Sequence, residues 1–137
     1  MNIPLIDRSN YLKGLFITAR LDKQINEKEK EILKKVSDKL GFAKDFFDET
    51  IRGLLTNKYL TEEPIIFSDK DIAKSFIKDA LKLACADNII TDEEISWLKK
   101  TAIQNSLDDN FINEEIKAQQ TTTKLRSNYE FALFSIL

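Results

Sequence analysis

A chain of 137 residues with 42% hydrophobic content is long enough for one compact core and gives no reason to expect a second domain. Its charged fraction of 32% sums to a net charge of only -2, so both signs are spread over the surface and nucleic acid is not an expected partner. There is no histidine, which removes Ser/His and Cys/His nucleophile arrangements, histidine-ligated zinc and the commonest general base near neutral pH.

Residues 1–9 hold Pro4 and read as a lead-in whose Ile3, Leu5 and Ile6 pack on the body. A first helix is predicted from about Asn10 to Leu21. Tyr11, Leu15, Thr18 and Asp22 share one face, and Leu12, Phe16 and Ala19 widen the stripe. Asn26-Glu27-Lys28-Glu29 has the form of a capping box and opens a second helix running to about Leu40. Ile32, Leu33, Val36 and Leu40 point inward there, and Gly41 is the left-handed stop. Phe46, Phe47, Ile51, Leu54 and Leu55 make a third amphipathic helix ending near Thr56.

Lys58 to Phe67 carries Pro64 and the apolar Ile65-Ile66-Phe67, and reads as a connector. Ser68-Asp69-Lys70-Asp71 is an N-cap signature for a fourth helix with Ile72, Phe76, Ala80, Leu83 and Asp87 on its inner face. Thr91-Asp92-Glu93-Glu94 repeats the capping box and begins a fifth, with Ile95, Leu98 and Ala102 inward and Trp97 alongside. A sixth spans Leu107 to Ile116, with Phe111, Ile112, Glu115 and Ile116 partly matching the third. Gln119-Gln120-Thr121-Thr122-Thr123 is uncharged and reads as a linker to an apolar tail from Leu125 to Leu137. The expected organisation is one all-α helical domain over residues 1–118, then linker and tail over 119–137. Cys85, among Leu83, Ala84 and Ala86, has the setting of a packed thiol. No membrane span or secretory leader pattern is visible, so the expectation is a cytoplasmic chain that does not insert into a membrane.

The helix-elbow-helix stretch from Ala84 to Leu98 occurs twice. Shifted by 65 residues, Ala84, Asp87, Ile90, Glu94 and Leu98 fall on Ala19, Asp22, Ile25, Glu29 and Leu33, which predicts a bundle of two related three-helix halves. The acids at Thr91 to Glu94 suit a helix N-terminus. Asp87 falls at a helix C-terminal end, where the dipole disfavours it. Two explanations stay open: the Asp side chain accepts from the N–H groups of Ile89 or Ile90, or it binds a cation.

Asp87 and Glu94 are separated by seven residues, like positions 5 and 12 of an EF-hand, but positions 1 and 3 would be Leu83 and Cys85, so a complete calcium loop of that type is excluded. From Asp22 to Leu33 four acids face three lysines, a balance of -1; from Asp87 to Leu98 four acids face no base, a balance of -4. The second elbow is the better cation trap, and oxygen donors suit Ca²⁺ or Mg²⁺.

The second elbow, Ala84-Cys85-Ala86-Asp87-Asn88-Ile89-Ile90-Thr91-Asp92-Glu93-Glu94, resembles the signature of the TerB-like family, with an alanine-rich helix end, Asp-Gly, a hydrophobic residue and Glu. Ala19 to Glu29 is a weaker copy. The likeness covers about Tyr11 to Ile116. Asn88 and Lys23 stand where the family has glycine, and lysine tolerates a positive φ poorly. The resemblance implies an all-helical domain of two related halves and an acidic site for a divalent cation at Asp87 and Glu94, with Asp22 and Glu29 as the second set. It also implies a role linked to tellurite and stress responses. The expected function is a non-enzymatic module that binds a protein partner or a second copy; the alternative is a purely structural or oligomerisation domain without a ligand.

Overall fold

The computed structural model describes residues 3–21, 27–56, 63–84 and 90–122. Six helices follow one another: α1 (Leu5–Leu21), α2 (Glu27–Lys39), α3 (Lys44–Thr56), α4 (Lys70–Ala84), α5 (Asp92–Gln104) and α6 (Asp109–Thr122). No strand occurs among the described residues, and the chain is all-α as expected.

Helices α1, α2 and α3 touch one another, as do α4, α5 and α6, and the two sets meet chiefly along α1 and α4, with a smaller contact of α1 to α5. The starts at residues 5, 27 and 44 recur at 70, 92 and 109, the 65-residue spacing seen in the two elbows. This packing is compatible with two three-helix halves.

The core is built where α1 crosses α4. From Tyr11 to Ala19 every α1 side position except Lys13 is buried, so this part of α1 is covered nearly all round, as a largely apolar helix segment must be. The single inward stripe predicted for it is too narrow: Gly14 and Ile17 are also inside. Gly14 is there because α4 comes very close. A Cβ added to it would lie 2.5 Å from Cζ of Phe76, and that approach outweighs the roughly 1 kcal/mol by which glycine weakens a helix interior. Rings continue the core, with Tyr11 edge-on to Phe76 at 5.5 Å and Phe76 edge-on to Trp97 at 6.1 Å.

Helix ends follow local chemistry. Gly41 (φ 87°) ends α2, with the Gly41 N–H donating to Asp38 O and the Phe42 N–H to Ser37 O, the paired bonds of a Schellman ending. Helix α5 ends alike 65 residues later, where the Ser106 N–H donates to Ile103 O and the Leu107 N–H to Ala102 O. Ser106 holds φ 62° there, where α2 has glycine. Asp69 starts α4 by accepting from the Asp71 N–H at 2.6 Å, and Asp108 starts α6 by accepting from Phe111 N–H at 2.8 Å.

Two boundaries differ from those predicted. α1 begins at Leu5, directly after Pro4, whose carbonyl accepts from the Arg8 N–H at 3.0 Å. Ile3 is buried, but Leu5 and Ile6 are exposed; they sit on the open side of that first turn and so show no inward periodicity. α6 continues through Thr122 into the stretch read as a linker, and its Gln119 is buried, a contact that an uncharged composition does not announce. Ile32, Leu33, Val36 and Leu40 are buried as predicted, while Phe46 is exposed and stacks on Phe42 at 5.2 Å. The side chains of Ile51, Leu54 and Leu55, together with Cys85 and the tail from Leu125 to Leu137, lie outside the described residues. No helix among the described residues is long and apolar enough to cross a membrane.

Candidate functional site

The elbow that precedes α5 has a complete local architecture on its helix side. Thr91 is the N-cap, extended at φ -85° and ψ 158°, and its Oγ1 accepts from the Glu94 N–H at 3.1 Å. In return Glu94 Oε1 accepts from the Thr91 N–H at 3.1 Å and from the Thr91 hydroxyl at 3.0 Å. The capping box read from Thr91 to Glu94 is therefore formed. Asp92 and Glu93 are exposed in the same first turn, where the helix dipole favours them, whereas Glu94 is buried to 1% exposure.

Glu29 is its counterpart in α2, the third residue of that helix and likewise buried. The structure thus places Glu94 and Glu29 at equivalent buried positions of two equivalent helices. Asp87 and Asp22, proposed to complete each set, and Asn26, Asn88 and Ile89 lie outside the described residues. Among the described residues no group of three acidic or cysteine side chains is arranged to hold a metal ion.

Three buried polar constellations have no counterpart in the sequence reading, and all join distant parts of the chain. Asp7, in the first turn of α1, is buried and accepts from the Ser68 N–H at 3.0 Å and from the Ser68 hydroxyl, tying the entrance of α1 to that of α4. Asn105, the C-cap of α5, accepts from the Phe67 N–H at 2.8 Å and donates to Ile65 O at 2.7 Å and Thr101 O at 2.8 Å. Its amide thereby pairs with the connector as a neighbouring strand would, which is why Ile65 and Phe67 are buried while Ile66 between them faces out.

The third lies in the α1/α4 crossing. The Tyr11 hydroxyl donates to Asp79 Oδ2, with both residues wholly buried. Burial, then the neighbouring Asp79 charge and the hydrogen bond to it, hold the Tyr11 phenol well above its ordinary value of 10.0, against a smaller opposite pull from Ser75. That pull is weak in geometric terms, since the buried Ser75 Oγ completes no hydrogen bond. A phenol held protonated against a buried carboxylate is a structural donor, not a proton-transfer group at neutral pH.

In the repeat, Tyr11 corresponds to Phe76 and Gly14 to Asp79. Each ring of one helix thus reaches over the partner position of the other: Phe76 over Gly14, Tyr11 onto Asp79. The only sequence signal for Asp79 is an acid on the inner side of an otherwise apolar stripe, one turn after Ser75. Compared with known proteins, the chain is matched by no family model, by no curated protein and by no solved structure.

Proposed function

We propose that the chain is a non-enzymatic helical module of the TerB-like kind, tied to stress responses, which docks a protein partner and takes a divalent cation, Ca²⁺ or Mg²⁺, at the elbow between α4 and α5. The observation that carries this reading is the first turn of α5. Asp92, Glu93 and Glu94 stand together at the helix start, and the Glu94 carboxylate is buried and oriented by Thr91. A carboxylate already ordered loses little further freedom on meeting an ion. The resemblance of Ala84 to Glu94 to the TerB-like signature supports the same place, with Asp87 as the partner donor and Asp22 with Glu29 as the weaker set. Hard oxygen donors suit Ca²⁺ and Mg²⁺ over softer metals.

Titration with each ion, followed by amide NMR shifts, is the direct test. Saturable shifts at Thr91 and Glu94 at millimolar ion, lost in Asp87→Asn, are expected; flat shifts at both residues remove the cation from the proposal.

One observation favours a second reading, a structural or oligomerisation domain without a ligand. Glu94 Oε1 already accepts two hydrogen bonds from Thr91, so helix capping accounts for its orientation without an ion. Light scattering alongside the ion titration separates the two. A stable dimer indifferent to both ions favours the second reading, and a monomer that responds to an ion discards it.

A further inference from the structure

The first three-helix set carries a cleft of about 430 Å³ lined by Lys30 of α2 and by Phe47, Asp48 and Arg52 of α3. Its size falls within the range of small-molecule sites. Phe47 is its apolar floor, buried to 6% exposure and braced from below by Phe16 at 5.8 Å between ring centres. The rim is charged. Lys30 is half-exposed and is met by Glu27 at 3.5 Å, a pair in which the Glu27 carboxylate is 89% exposed; so loose a surface pair is readily exchanged for another anion. Arg52 Nε donates to the Asp48 carbonyl one turn back, at 3.4 Å, which brings the guanidinium to the same rim. Asp48 adds an opposing charge, so the described lining residues bring two cations and one carboxylate to the rim.

The repeat provides an internal comparison. The residues 65 positions on from Lys30, Phe47, Asp48 and Arg52 are Ile95, Ile112, Asn113 and Lys117. The apolar floor persists, with Ile112 wholly buried, but a half-buried Ile95 replaces the α2 cation and a neutral amide replaces the acid. Two cations over a phenyl floor are therefore a property of the first set, not a by-product of the architecture.

We infer that the α2/α3 cleft binds a small amphipathic anion, an aromatic or aliphatic group carrying one carboxylate. The apolar part lies on Phe47 and the carboxylate lies between the Lys30 and Arg52 cations, which attract it by charge. The site makes no use of the α4/α5 elbow, so success or failure at either leaves the other untouched.

Phenylacetate, benzyl alcohol and inorganic phosphate, each titrated into the full chain and read by amide NMR, form the test. Phenylacetate produces saturable shifts at Lys30, Phe47, Asp48 and Arg52, while the neutral alcohol and the ring-less anion shift them far less. In Lys30→Gln/Arg52→Gln, phenylacetate binds about tenfold more weakly with an unchanged far-ultraviolet circular dichroism spectrum. Asp48→Asn removes the opposing rim charge and tightens binding, a change that mere loss of structure cannot give. Absence of saturation with phenylacetate, equal response to benzyl alcohol, or binding unaltered in both variants overturns the inference.

Discussion

Tyr11 and Asp79 set a severe constraint at the α1/α4 crossing, where both are buried and hydrogen-bonded to each other. Tyr11→Phe removes one donor from a buried carboxylate and is expected to cost about 1–3 kcal/mol of unfolding free energy in chemical denaturation. The pair also implies an alkaline limit. Because the folded phenol titrates well above 10.0, the unfolded chain releases this proton first as pH rises. The contribution is thus fully present below about pH 10 and declines above it, by about 1.4 kcal/mol per pH unit, until the folded phenol itself ionises. Measured as the difference between the parent chain and Tyr11→Phe, that decline should vanish in the variant. A parallel fall in both chains refutes it. Ser106 sets a smaller constraint of the opposite sign: at φ 62° its Cβ is strained, and Ser106→Gly should raise stability by about 0.5–1 kcal/mol in the same assay.

Among the described residues, the segment from Ile65 to Ser68 is irregular yet firmly tied. Asn105 supplies bonds to two of its backbone groups and Asp7 to a third, so a stretch with no helical or ladder bonds of its own keeps its buried polar groups satisfied. Asn105→Ala leaves Phe67 N–H and Ile65 O without these partners and should cost about 2–4 kcal/mol, with hydrogen exchange at Phe67 accelerating more than at the centre of α4. Uniform acceleration would instead mean that Asn105 matters only to global stability. The helix ends that carry a cap in their own sequence were legible beforehand because caps act within four residues: Thr91 with Glu94, Asp69 with Asp71, Gly41 after Leu40; the start of α1 and the end of α6 were not. The Asn105, Asp7 and Asp79 bonds were not, since their partners lie 38, 61 and 68 positions away, and alone each residue reads as an ordinary solvated side chain. The candidate elbow divides in the same way. Its capping half was readable from four adjacent residues, whereas the burial of Glu94 and Glu29 depends on what the rest of the bundle lays over them.

At the scale of the molecule, the two helix sets are joined mainly through one crossing, α1 on α4. Amides in the middle of these two helices should therefore exchange only by global unfolding, while α3 and α6, each outside that crossing, open at lower cost. Native-state hydrogen exchange across a denaturant series checks this; protection in α3 equal to that in α1 would mean that the six helices open as one unit. The crossing also carries information about pairing. Its two reciprocal contacts are unlike, a phenyl ring over Gly14 and a phenol on Asp79. If α4 met another α4, Phe76 would face Asp79, whose carboxylate would lose its phenol, and if α1 met another α1, the Tyr11 hydroxyl would find only Gly14. Like-with-like pairing therefore loses the buried hydroxyl–carboxylate bond on either side, while the mixed pairing keeps it. A fold assembled from near-copies thus contains its own means of telling one copy from the other: a hydroxyl on one helix and a carboxylate on the other, which act as a lock and its key.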